Sequence, residues 1–328
     1  MNGCMETGKP LISILMAVYE PRMDWLREQL LSLNAQTYPN LRLYICDDCS
    51  PTVSYEEIQS CVQDCISAFP YSIERNAQNL GSNGTFERLT REAEGVFFAY
   101  CDQDDVWLPE KLAILQETIE RERAELVCSD MYIINSEGKQ VADSITKVRR
   151  RHKFSSGSNL SKKLVFHNWV TGCTMIVHAK TAKELVPFCP YMIHDQYIAL
   201  MCAEKGKIFC VTDPLIRYRI HGGNQTGVLI KVNNKFDYLQ IRILDMRKRL
   251  EWLMSEDKVY SPELQETLTN GLEWVRAREV WMKERRGGKV MWEFRKYGPR
   301  SVLLEFVAPL LSEKAFMKII NLAQRNFL

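Results

Sequence analysis

The chain has 328 residues, of which 46% are hydrophobic and 26% are charged. This composition excludes an intrinsically disordered chain, and the length suits one large domain or one domain with a smaller appendage. The net charge of +2 averages two unlike parts, because residues 271–328 carry 12 Lys/Arg against 6 Asp/Glu and the remainder is mildly acidic. A net charge this close to zero gives no reason to expect a nucleic-acid partner.

The cysteines and the start of the chain indicate the compartment. The chain has 11 cysteines, and no basic start followed by an apolar run opens it. An odd cysteine count without an export signal is typical of a reducing, cytoplasmic setting. The most apolar late stretch, residues 301–311, falls short of the roughly 20 apolar residues of a membrane span. We therefore expect a cytoplasmic protein that does not cross a membrane.

Strands and helices are predicted to alternate in the first part of the chain. Continuous apolar runs predict buried strands over residues 11–19, 41–46, 71–74 and 96–101. Apolar residues at helical spacing predict helices over residues 22–36, 55–69, 85–94 and 109–123. Thr85 is expected to cap the third of these helices, and Pro109 suits the first turn of the fourth. The alternation predicts an α/β fold, a mostly parallel sheet flanked by helices.

After residue 125 the pattern changes. We predict strands over residues 126–135, 174–178, 207–211 and 215–220. We predict helices over residues 181–186 and 195–205, with a polar basic loop at 147–153. From about Phe236 the sequence is helical and charged. These changes predict a domain over residues 1–230, with halves at about 10–125 and 126–230, and a helical basic C-terminal region over 231–328.

Acidic clusters follow two of the predicted strands. Asp47 and Asp48 come after the second strand, and Asp102-Gln103-Asp104-Asp105 follows the strand at 96–101. Ligands of such sheets bind beyond the carboxyl ends of the strands. The first strand leads into Glu20-Pro21 with neither a GxGxxG nor a Walker A lysine, which makes a dinucleotide dehydrogenase or a P-loop enzyme a poor match.

The acidic clusters have a functional and a structural interpretation. Asp102, Asp104 and Asp105 suit Mg²⁺ or Mn²⁺, which bind through carboxylates while diphosphate oxygens and waters complete the shell. The alternative is a solvated acidic turn before a helix, although clustered carboxylates repel one another without a cation. Asp47 and Asp48 can accept hydrogen bonds from a nucleobase or ribose. The alternative for this pair is an Asx turn before Ser50.

Two later motifs carry further polar residues. Asp195, after His194, precedes a helical run, where it can be an N-cap, a general base for an acceptor hydroxyl, or both. Arg219 and His221 stand two apart on a strand and face the same side. Both side chains suit phosphate or metal contacts, and the alternative is a structural pair.

Together these segments resemble glycosyltransferase family 2. The resemblance rests on AVYEP, ICDDCS, NLGSNGTF, CDQDDVWLPEKL, TGCTMIV, IHDQYIAL and YRIHGGN, in this order over about residues 11–226. The chain is similar in particular to the bacterial rhamnosyltransferase-like branch that builds surface polysaccharides. The resemblance implies a GT-A fold with a C-terminal helical extension and an inverting transfer from a nucleoside-diphosphate sugar.

The resemblance also implies roles on the donor side. Nucleoside-binding positions correspond to Ala17, Val18, Tyr19 and Asp48, with Asp104 near the ribose. Asp105, with Asp102, would hold Mn²⁺ or Mg²⁺. His221 matches a position near metal or phosphate, and Arg219 would offset charge on the departing diphosphate.

On the acceptor side, Asp195 matches the catalytic base of the family. Gly172-Cys173 would lie below the acceptor site, beside His194. The chain departs from the family where DDCS replaces DDGS, so Cys49 takes a turn position usually given to glycine. Glu20 stands where the family usually has asparagine.

Other functions remain open from the sequence alone. A sugar nucleotidyltransferase or a nucleotide-sugar hydrolase also uses such a sheet and a carboxylate-held metal. The first usually has a glycine-rich basic loop after its first strand, which AVYEPRM lacks. A non-catalytic nucleotide-sugar-binding subunit is the third alternative, and the intact DQDD and Asp195 argue against it.

The acceptor and the C-terminal region raise a question of location. The branch suggests dTDP-rhamnose as donor, with UDP-hexoses open, and the acceptor is expected to be a lipid-linked growing glycan contacted near residues 147–169. Trp281, Trp292, Phe294 and Tyr297 are interleaved with basic residues, which fits a surface lying in a membrane interface. The alternative is a helical subdomain that packs these aromatic side chains on the catalytic core or on a second subunit.

Overall fold

The fold was analysed on a computed structural model, which describes residues 8–149, 152–222, 229, 231–255 and 259–325. The first part of the chain forms β1 (Ile12–Val18), α1 (Met23–Asn34), β2 (Leu41–Asp47), α2 (Tyr55–Cys65), β3 (Tyr71–Arg75), α3 (Gly81–Glu92), β4 (Phe97–Cys101), β5 (Val106–Trp107) and α4 (Lys111–Glu122). The middle part forms β6 (Leu126–Ile134), β7 (Gln140–Ala142), α5 (Ile145–Val148), α6 (Ser161–Leu164), a 3₁₀ turn (Gly172–Thr174), β8 (Met175–His178), α7 (Ala179–Glu184), α8 (His194–Lys205) and β9 (Ile208–Arg219).

The last part of the chain is helical, as predicted. It forms α9 (Lys235–Tyr238), a π-helical stretch (Leu239–Leu244), α10 (Asp245–Ser255), α11 (Pro262–Glu284), α12 (Gly288–Glu293), a 3₁₀ turn (Arg295–Tyr297), α13 (Pro299–Val307), a 3₁₀ turn (Ala308–Leu310) and α14 (Glu313–Arg325). None of the described helices is both long enough and apolar enough to span a bilayer.

Two compact units make up the described chain. The sheet unit contains residues 8–160, Asn168–Phe188 and Ile193–His221, and the helical unit contains Ser161–His167, Cys189–Met192 and the described residues from Gly222 onward. The predicted domain boundary near residue 230 stays a prediction, because residues 223–228 and 230 lie outside the described residues. The same holds for Arg150 and Arg151 of the predicted basic loop.

The sheet unit is built on one mixed sheet in the order β3-β2-β1-β4-β8-β6-β9-β5, with β7 paired to β6. The strands from β3 to β4 are parallel to their neighbours, as the alternation of strands and helices predicts. β8 runs antiparallel to both β4 and β6, and β5 runs antiparallel to β9. The sheet is thus parallel over β3, β2, β1 and β4 and mixed beyond them, because β8 lies antiparallel between β4 and β6.

Apolar runs explain why the central strands are buried. β4 is buried along its whole length, and every residue of β1 except Ala17 is buried. Leu26, Leu30 and Leu33 of α1 are also fully buried in the core, at helical spacing. A strand without polar alternation fits only where both faces are covered, which is the position these strands take.

One predicted helix start is wrong. α3 begins at Gly81, so Thr85 lies inside the helix instead of capping it. Thr85 is buried, and its Oγ1 accepts a hydrogen bond from Nδ2 of Asn76 at 2.9 Å. The hydroxyl therefore joins the helix to the strand end at β3, a tertiary contact that a local capping pattern does not reveal.

The helical unit has its own buried ion pair. Arg278 donates to the Glu305 carboxylate twice, from Nε to Oε2 at 2.8 Å and from Nη2 to Oε1 at 2.6 Å. The Tyr238 hydroxyl donates to Oε1 of the same carboxylate at 2.9 Å. The Arg278 guanidinium also lies 4.3 Å from the ring of Trp274. Pairing of this kind offsets the cost of removing both charges from water.

The basic aromatic segment packs mostly within the helical unit. Trp281 donates its indole N–H to the carbonyl of Glu305 at 2.9 Å and packs on Phe306. Tyr297 packs on Phe166 and Phe294, whereas Trp292 is 47% exposed. All four aromatic residues singled out by the sequence therefore have intramolecular ring contacts, since Trp292 meets Phe306 and Arg295, and among them Trp292 is the one largely open to solvent.

Candidate active site

The carboxyl ends of three neighbouring strands bring the predicted nucleotide residues to one edge of the sheet. Val18 of β1 is in register with Asp47 of β2, and Met16 of β1 is in register with Cys101 of β4. The segments after Val18, Asp47 and Cys101 therefore leave the sheet side by side. This is the edge at which parallel α/β sheets bind ligands.

Gln103 joins two of these segments through the backbone of Tyr19. Its Oε1 accepts from the Tyr19 N–H at 2.8 Å, and its Nε2 donates to the Tyr19 carbonyl at 3.0 Å. The Tyr19 ring itself is 44% exposed. The peptide of the residue predicted to meet the nucleoside is thus fixed, while its ring remains available for stacking.

Asp47 and Asp48 have different surroundings. Oδ1 of Asp47 accepts from the N–H and Oγ of Ser50, which is the Asx turn that the structural interpretation predicts. Oδ1 of Asp48 accepts from Nδ2 of Asn76 and from the N–H of Leu80, both at 2.7 Å. Asp48 is 3% exposed, and its side chain is fixed by the loop that leads into α3.

The turn after these aspartates does require a left-handed residue. Cys49 has φ +59°, and Glu20 on the adjoining loop has φ +46°. Glu20 accepts from the N–H groups of Thr52 and Val53, so the residue that departs from the family pattern fixes the loop after Cys49. The departure from glycine at position 49 therefore carries a real conformational cost.

Asp102 and Asp105 approach each other beside Cys173. One ligand atom from each of these three residues lies within 4.8 Å of the others. Oδ1 of Asp105 accepts from the N–H of Arg219 at 2.9 Å, whereas its buried Oδ2 has no hydrogen-bond partner within the described part of the chain. A buried carboxylate oxygen without a donor is the kind of atom that a hard cation satisfies.

The proton affinities at this cluster follow from crowding and burial. Burial and the neighbouring carboxylates raise the pKa of both Asp102 and Asp105 above the usual range. Burial, together with these carboxylates, raises the pKa of the Cys173 thiol well above its usual value. Cys173 is therefore a protonated thiol, and the two carboxylates are the oxygen donors that fit Mn²⁺ or Mg²⁺.

Arg219 and His221 attach the acidic loop to the rest of the sheet unit. Nε of Arg219 donates to the carbonyl of Asp104 at 2.8 Å, and its guanidinium also pairs with Glu28. Nε2 of His221 lies 2.7 Å from Oδ2 of Asp104. Both side chains lie on the ring of Trp25, as expected for residues on one side of a strand.

These contacts bear on the roles predicted for the pair. Arg219 is 1% exposed and its guanidinium is engaged by protein acceptors, so the geometry favours positioning of the acidic loop over contact with diphosphate. His221 lies against Asp104 and is not part of the Asp102–Asp105–Cys173 group. The roles of Arg219 on diphosphate and of His221 on metal stay predictions.

Asp195 is buried and fixed at the start of α8. The helix begins at His194 and its N-cap is Ile193, so the prediction of Asp195 as N-cap is wrong by two positions. Oδ2 of Asp195 accepts from the N–H of Gly172 at 3.1 Å, and Oδ1 accepts from Nδ2 of Asn168 at 3.0 Å. Burial raises the pKa of Asp195 to about 7, although these hydrogen bonds lower it.

His194 lies behind the base and acts as a packing residue. Its ring centroid is 4.2 Å from that of Phe86 and 5.4 Å from that of Tyr100. Burial lowers the pKa of His194 to about 3, so the ring is neutral, and neither ring nitrogen has a hydrogen-bond partner among the residues described. A Cβ on Gly172 would lie 2.8 Å from Nε2 of His194, which explains the glycine.

Two residues of the site escaped the sequence analysis. Lys111 is fully buried, donates to the carbonyl of Cys173 and lies 2.9 Å from the centre of the Trp107 ring. Burial lowers the pKa of Lys111 to about 7. Asn168, which contacts Asp195, is the second. The lysine belongs to the CDQDDVWLPEKL segment, so its place next to the acidic cluster was a usable signal.

The mixed α/β sheet, with a carboxylate pair and the buried Asp195 carboxylate beyond its strand ends, has the GT-A fold. The sequence profile described as glycosyl transferase family 2 matches residues 13–180. The chain belongs to this family and is a glycosyltransferase.

Relatives and solved structures agree with the family. The UDP-Glc:alpha-D-GlcNAc-diphosphoundecaprenol beta-1,3-glucosyltransferase WfaP of Escherichia coli is 24% identical over 71% of this chain and 88% of its own. The dTDP-rhamnosyl transferase RfbG of Shigella flexneri is 22% identical over 68% and 78%. The mannosyltransferase PcManGT of Pyrobaculum calidifontis, solved with GDP-Man and Mn²⁺, has a TM-score of 0.56 at 14% identity, over 98% of this chain and 86% of its own.

Proposed function

We propose that this glycosyltransferase moves a sugar from a nucleoside diphosphate to a hydroxyl of a growing, lipid-linked surface glycan, with inversion at the anomeric carbon. The observation that carries the proposal is the state of Asp195, a buried carboxylate with raised pKa whose two oxygens are fixed by Gly172 and Asn168. A general base works best when its pKa lies near the operating pH and its orientation is fixed.

Asp195 and the acidic loop supply complementary parts of one displacement. Asp195 would take the proton of the acceptor hydroxyl as that oxygen bonds to the anomeric carbon and the bond to the diphosphate oxygen breaks. The Asp195 charge contributes to the raised pKa of Asp102, after burial and the Asp104 carboxylate, which supports a shared role of the two carboxylates in the reaction. One base and one stabilised leaving group suffice for a single displacement, unlike the two carboxylates of glycoside hydrolysis.

The metal-holding residues in this proposal are Asp102 and Asp105. Both supply carboxylate oxygens, and the orphaned Oδ2 of Asp105 fits a cation. A bound Mn²⁺ or Mg²⁺ would supply charge stabilisation for the diphosphate leaving group. Asp104, which contacts Arg219 and His221, would bind the ribose, and Asp48 and the segment Ala17–Tyr19 would bind the nucleoside.

The donor and the acceptor are proposed from the named relatives. WfaP uses UDP-Glc and RfbG is a dTDP-rhamnosyl transferase, which supports a UDP-hexose or dTDP-rhamnose as donor. WfaP acts on a sugar linked to diphosphoundecaprenol, which supports a lipid-linked acceptor. The described cysteines are free thiols, which supports a reducing, cytoplasmic setting for the reaction.

A lipid-linked acceptor brings the enzyme to a membrane surface, and we assign that contact to the end of the helical unit. Exposed apolar side chains cluster between residues 303 and 322: Leu303, Val307, Leu310, Ile319 and Leu322. Lys314 and Lys318 in this stretch, and Arg300 just before it, have no acidic partner within 4.0 Å among the described residues. Apolar side chains with unpaired basic neighbours suit an interface of anionic lipid.

The function is tested by combining donors with a defined acceptor. The protein is incubated with UDP-Glc, UDP-GlcNAc or dTDP-rhamnose, with Mn²⁺ and a GlcNAc-diphospholipid, and nucleoside diphosphate and product mass are measured. We expect release that needs both acceptor and metal, and a product of inverted anomeric configuration by NMR. Release without acceptor, or retained configuration, would contradict the proposal.

A further inference from the structure

Asn168 stands apart from the motifs that define the family site, yet its amide contacts the base directly. Nδ2 of Asn168 donates to Oδ1 of Asp195 at 3.0 Å and to the carbonyl of Val170 at 2.8 Å. Its Oδ1 accepts from the N–H of Val170 at 3.0 Å. The two bonds with Val170 close a small ring between the Asn168 side chain and the backbone of the turn, and the third bond links this ring to Asp195.

This ring settles which end of the amide faces the base. The N–H of Val170 can only donate, so the amide atom that it meets is the oxygen, and the nitrogen is left to face Asp195. The opposite orientation would place the amide oxygen against both the carboxylate and the Val170 carbonyl. The backbone thus selects a donor for Asp195.

The turn that carries Asn168 also carries the second donor to the base. The Gly172 N–H holds Oδ2 of Asp195, and the adjoining carbonyl of Cys173 accepts from buried Lys111 of α4. Lys111 lies just after the acidic loop along the chain. The segment Asn168–Cys173 therefore contacts Lys111, next to the acidic loop, through the Cys173 carbonyl. The same segment donates to both carboxylate oxygens of Asp195, through Asn168 and Gly172.

We propose that Asn168 is a positioning residue for the transfer reaction, which fixes the orientation of the Asp195 carboxylate and stabilises its ionised form. The inference rests on the proposed role of Asp195 as base. Among the described residues, the Asp102 carboxylate interacts unfavourably with the Asp195 charge, and the neutral ring of His194 is adjacent to it in the chain. Burial disfavours the ionised form of Asp195, and the hydrogen bonds from Asn168 and the Gly172 N–H oppose that effect.

The sharpest test is Asn168→Asp, because it keeps the shape and the acceptor for the Val170 N–H while it replaces the donor by an anion. We expect kcat to fall about tenfold or more and the acidic limb of the kcat–pH profile to move up by about one pH unit. KM for the nucleotide sugar should change less than about threefold, because the donor side is untouched. An unchanged pH limb with unchanged kcat would overturn the proposal.

Asn168→Ser covers the case in which the aspartate variant does not fold. A serine hydroxyl can still accept from the Val170 N–H, but it is too short to reach Asp195. If Asn168 only shaped its turn, this variant would keep full activity, whereas the proposal predicts a loss of kcat with a smaller upward shift of the limb. Full activity in the serine variant would equally overturn it.

Asn34 provides the matched control. Asn34 is the last residue of α1 and lies outside the proposed site. Its Oδ1 accepts from the N–H groups of Ser67 and Ala68. Asn34→Asp should leave the pH limb and kcat in place. The outcomes separate the proposed function from the role of Asn168. A wild-type protein without acceptor-dependent transfer would refute the proposed function. An active wild type, with an Asn168→Asp variant whose kcat and acidic pH limb are unchanged, would refute only the role of Asn168.

Discussion

The N–H of Gly172 donates to Oδ2 of Asp195 at 3.1 Å, and the same glycine lies against the ring of His194, the residue before the base. Helix α8 and the 3₁₀ turn are therefore in contact through a residue without a side chain. The His194 ring is confined by Phe86 and Tyr100, so it has little space into which it could withdraw. The placement of the base depends on this close approach.

Gly172→Ala should therefore displace the turn from α8. The added Cβ would lie 2.8 Å from Nε2 of His194, well inside van der Waals contact. We expect the free energy of unfolding to fall by about 1–3 kcal/mol, as for other overpacked cores, with a lower thermal midpoint. We also expect kcat to fall, because the turn that contacts Asp195 is displaced. Adding His194→Ala should restore part of both quantities, and a double variant no better than Gly172→Ala would contradict this steric account.

Asp195→Asn should keep nucleotide-sugar binding and lose transfer. Asparagine has the same shape and can accept the Gly172 hydrogen bond, but it cannot take a proton from the acceptor. We expect kcat to fall by about 10²–10⁴, as is usual for loss of a general base. Binding is checked by calorimetry with Mn²⁺, and the control is Asp213→Asn on the exposed surface of β9. Near-normal turnover in Asp195→Asn would remove this residue from the mechanism.

Transfer should rise with pH across neutrality. The pKa of Asp195 is raised to about 7, and only the ionised carboxylate can act as base. The protonated form therefore predominates below this value, and kcat should fall about tenfold for each pH unit on the acidic side. A kcat–pH profile at saturating donor and metal measures the limb. A profile flat from pH 5.5 to 8 would be inconsistent with Asp195 as the base.

Asp105→Asn should separate metal binding from folding. Burial and neighbouring carboxylates raise the pKa of Asp105 in the fold, so its protonated form favours folding and this stability is lost as pH rises through the raised pKa. At pH 8 without metal, the variant should be at least as heat-stable as the wild type. Mn²⁺ should raise the thermal midpoint of the wild type and not of the variant. Equal Mn²⁺ stabilisation of both would exclude Asp105 as a ligand.

The membrane surface is tested by charge inversion at exposed apolar positions. Leu303 and Leu310 are 59% and 71% exposed, so replacing both by glutamate should leave the fold intact and weaken binding to anionic vesicles. Val141→Glu, at an exposed position of β7, is the control for added charge. Sedimentation with phosphatidylglycerol vesicles measures the bound fraction. Equal sedimentation of the double variant and the control would place the contact elsewhere.

Much of the sheet unit follows from local patterns. Apolar runs predict β1, β2 and β4 within about two residues, and the two acidic clusters lie at strand ends as expected. The direction of β8 does not follow from such patterns, because a short apolar run looks alike in parallel and antiparallel pairing. Thr85 and Asp195 were misplaced as helix caps for a related reason, since their side chains bond to distant residues instead of their own helix ends.

In the candidate site, too, residues that are consecutive in the chain could be predicted, whereas contacts between residues far apart in the chain could not. Metal and nucleotide residues come in consecutive runs, so the motif predicts that they lie together. Asn168 and Asp195 are 27 positions apart, and only the folded turn brings the amide to the carboxylate. Lys111 and Arg219 are buried charges of residue types usually found on the surface, and each donates to a backbone carbonyl that the sequence does not mark.

The acidic loop between β4 and β5 is held at each of its inner positions by the rest of the sheet unit. Gln103 hydrogen-bonds to the Tyr19 backbone, and Asp104 contacts both Arg219 and His221. Asp105 accepts a hydrogen bond from the Arg219 N–H. These contacts hold the loop in place against the repulsion among its carboxylates, without a bound sugar nucleotide. The loop is preorganised, so in the proposed reaction the binding energy of a sugar nucleotide would be left for the transition state and not be needed to arrange the loop.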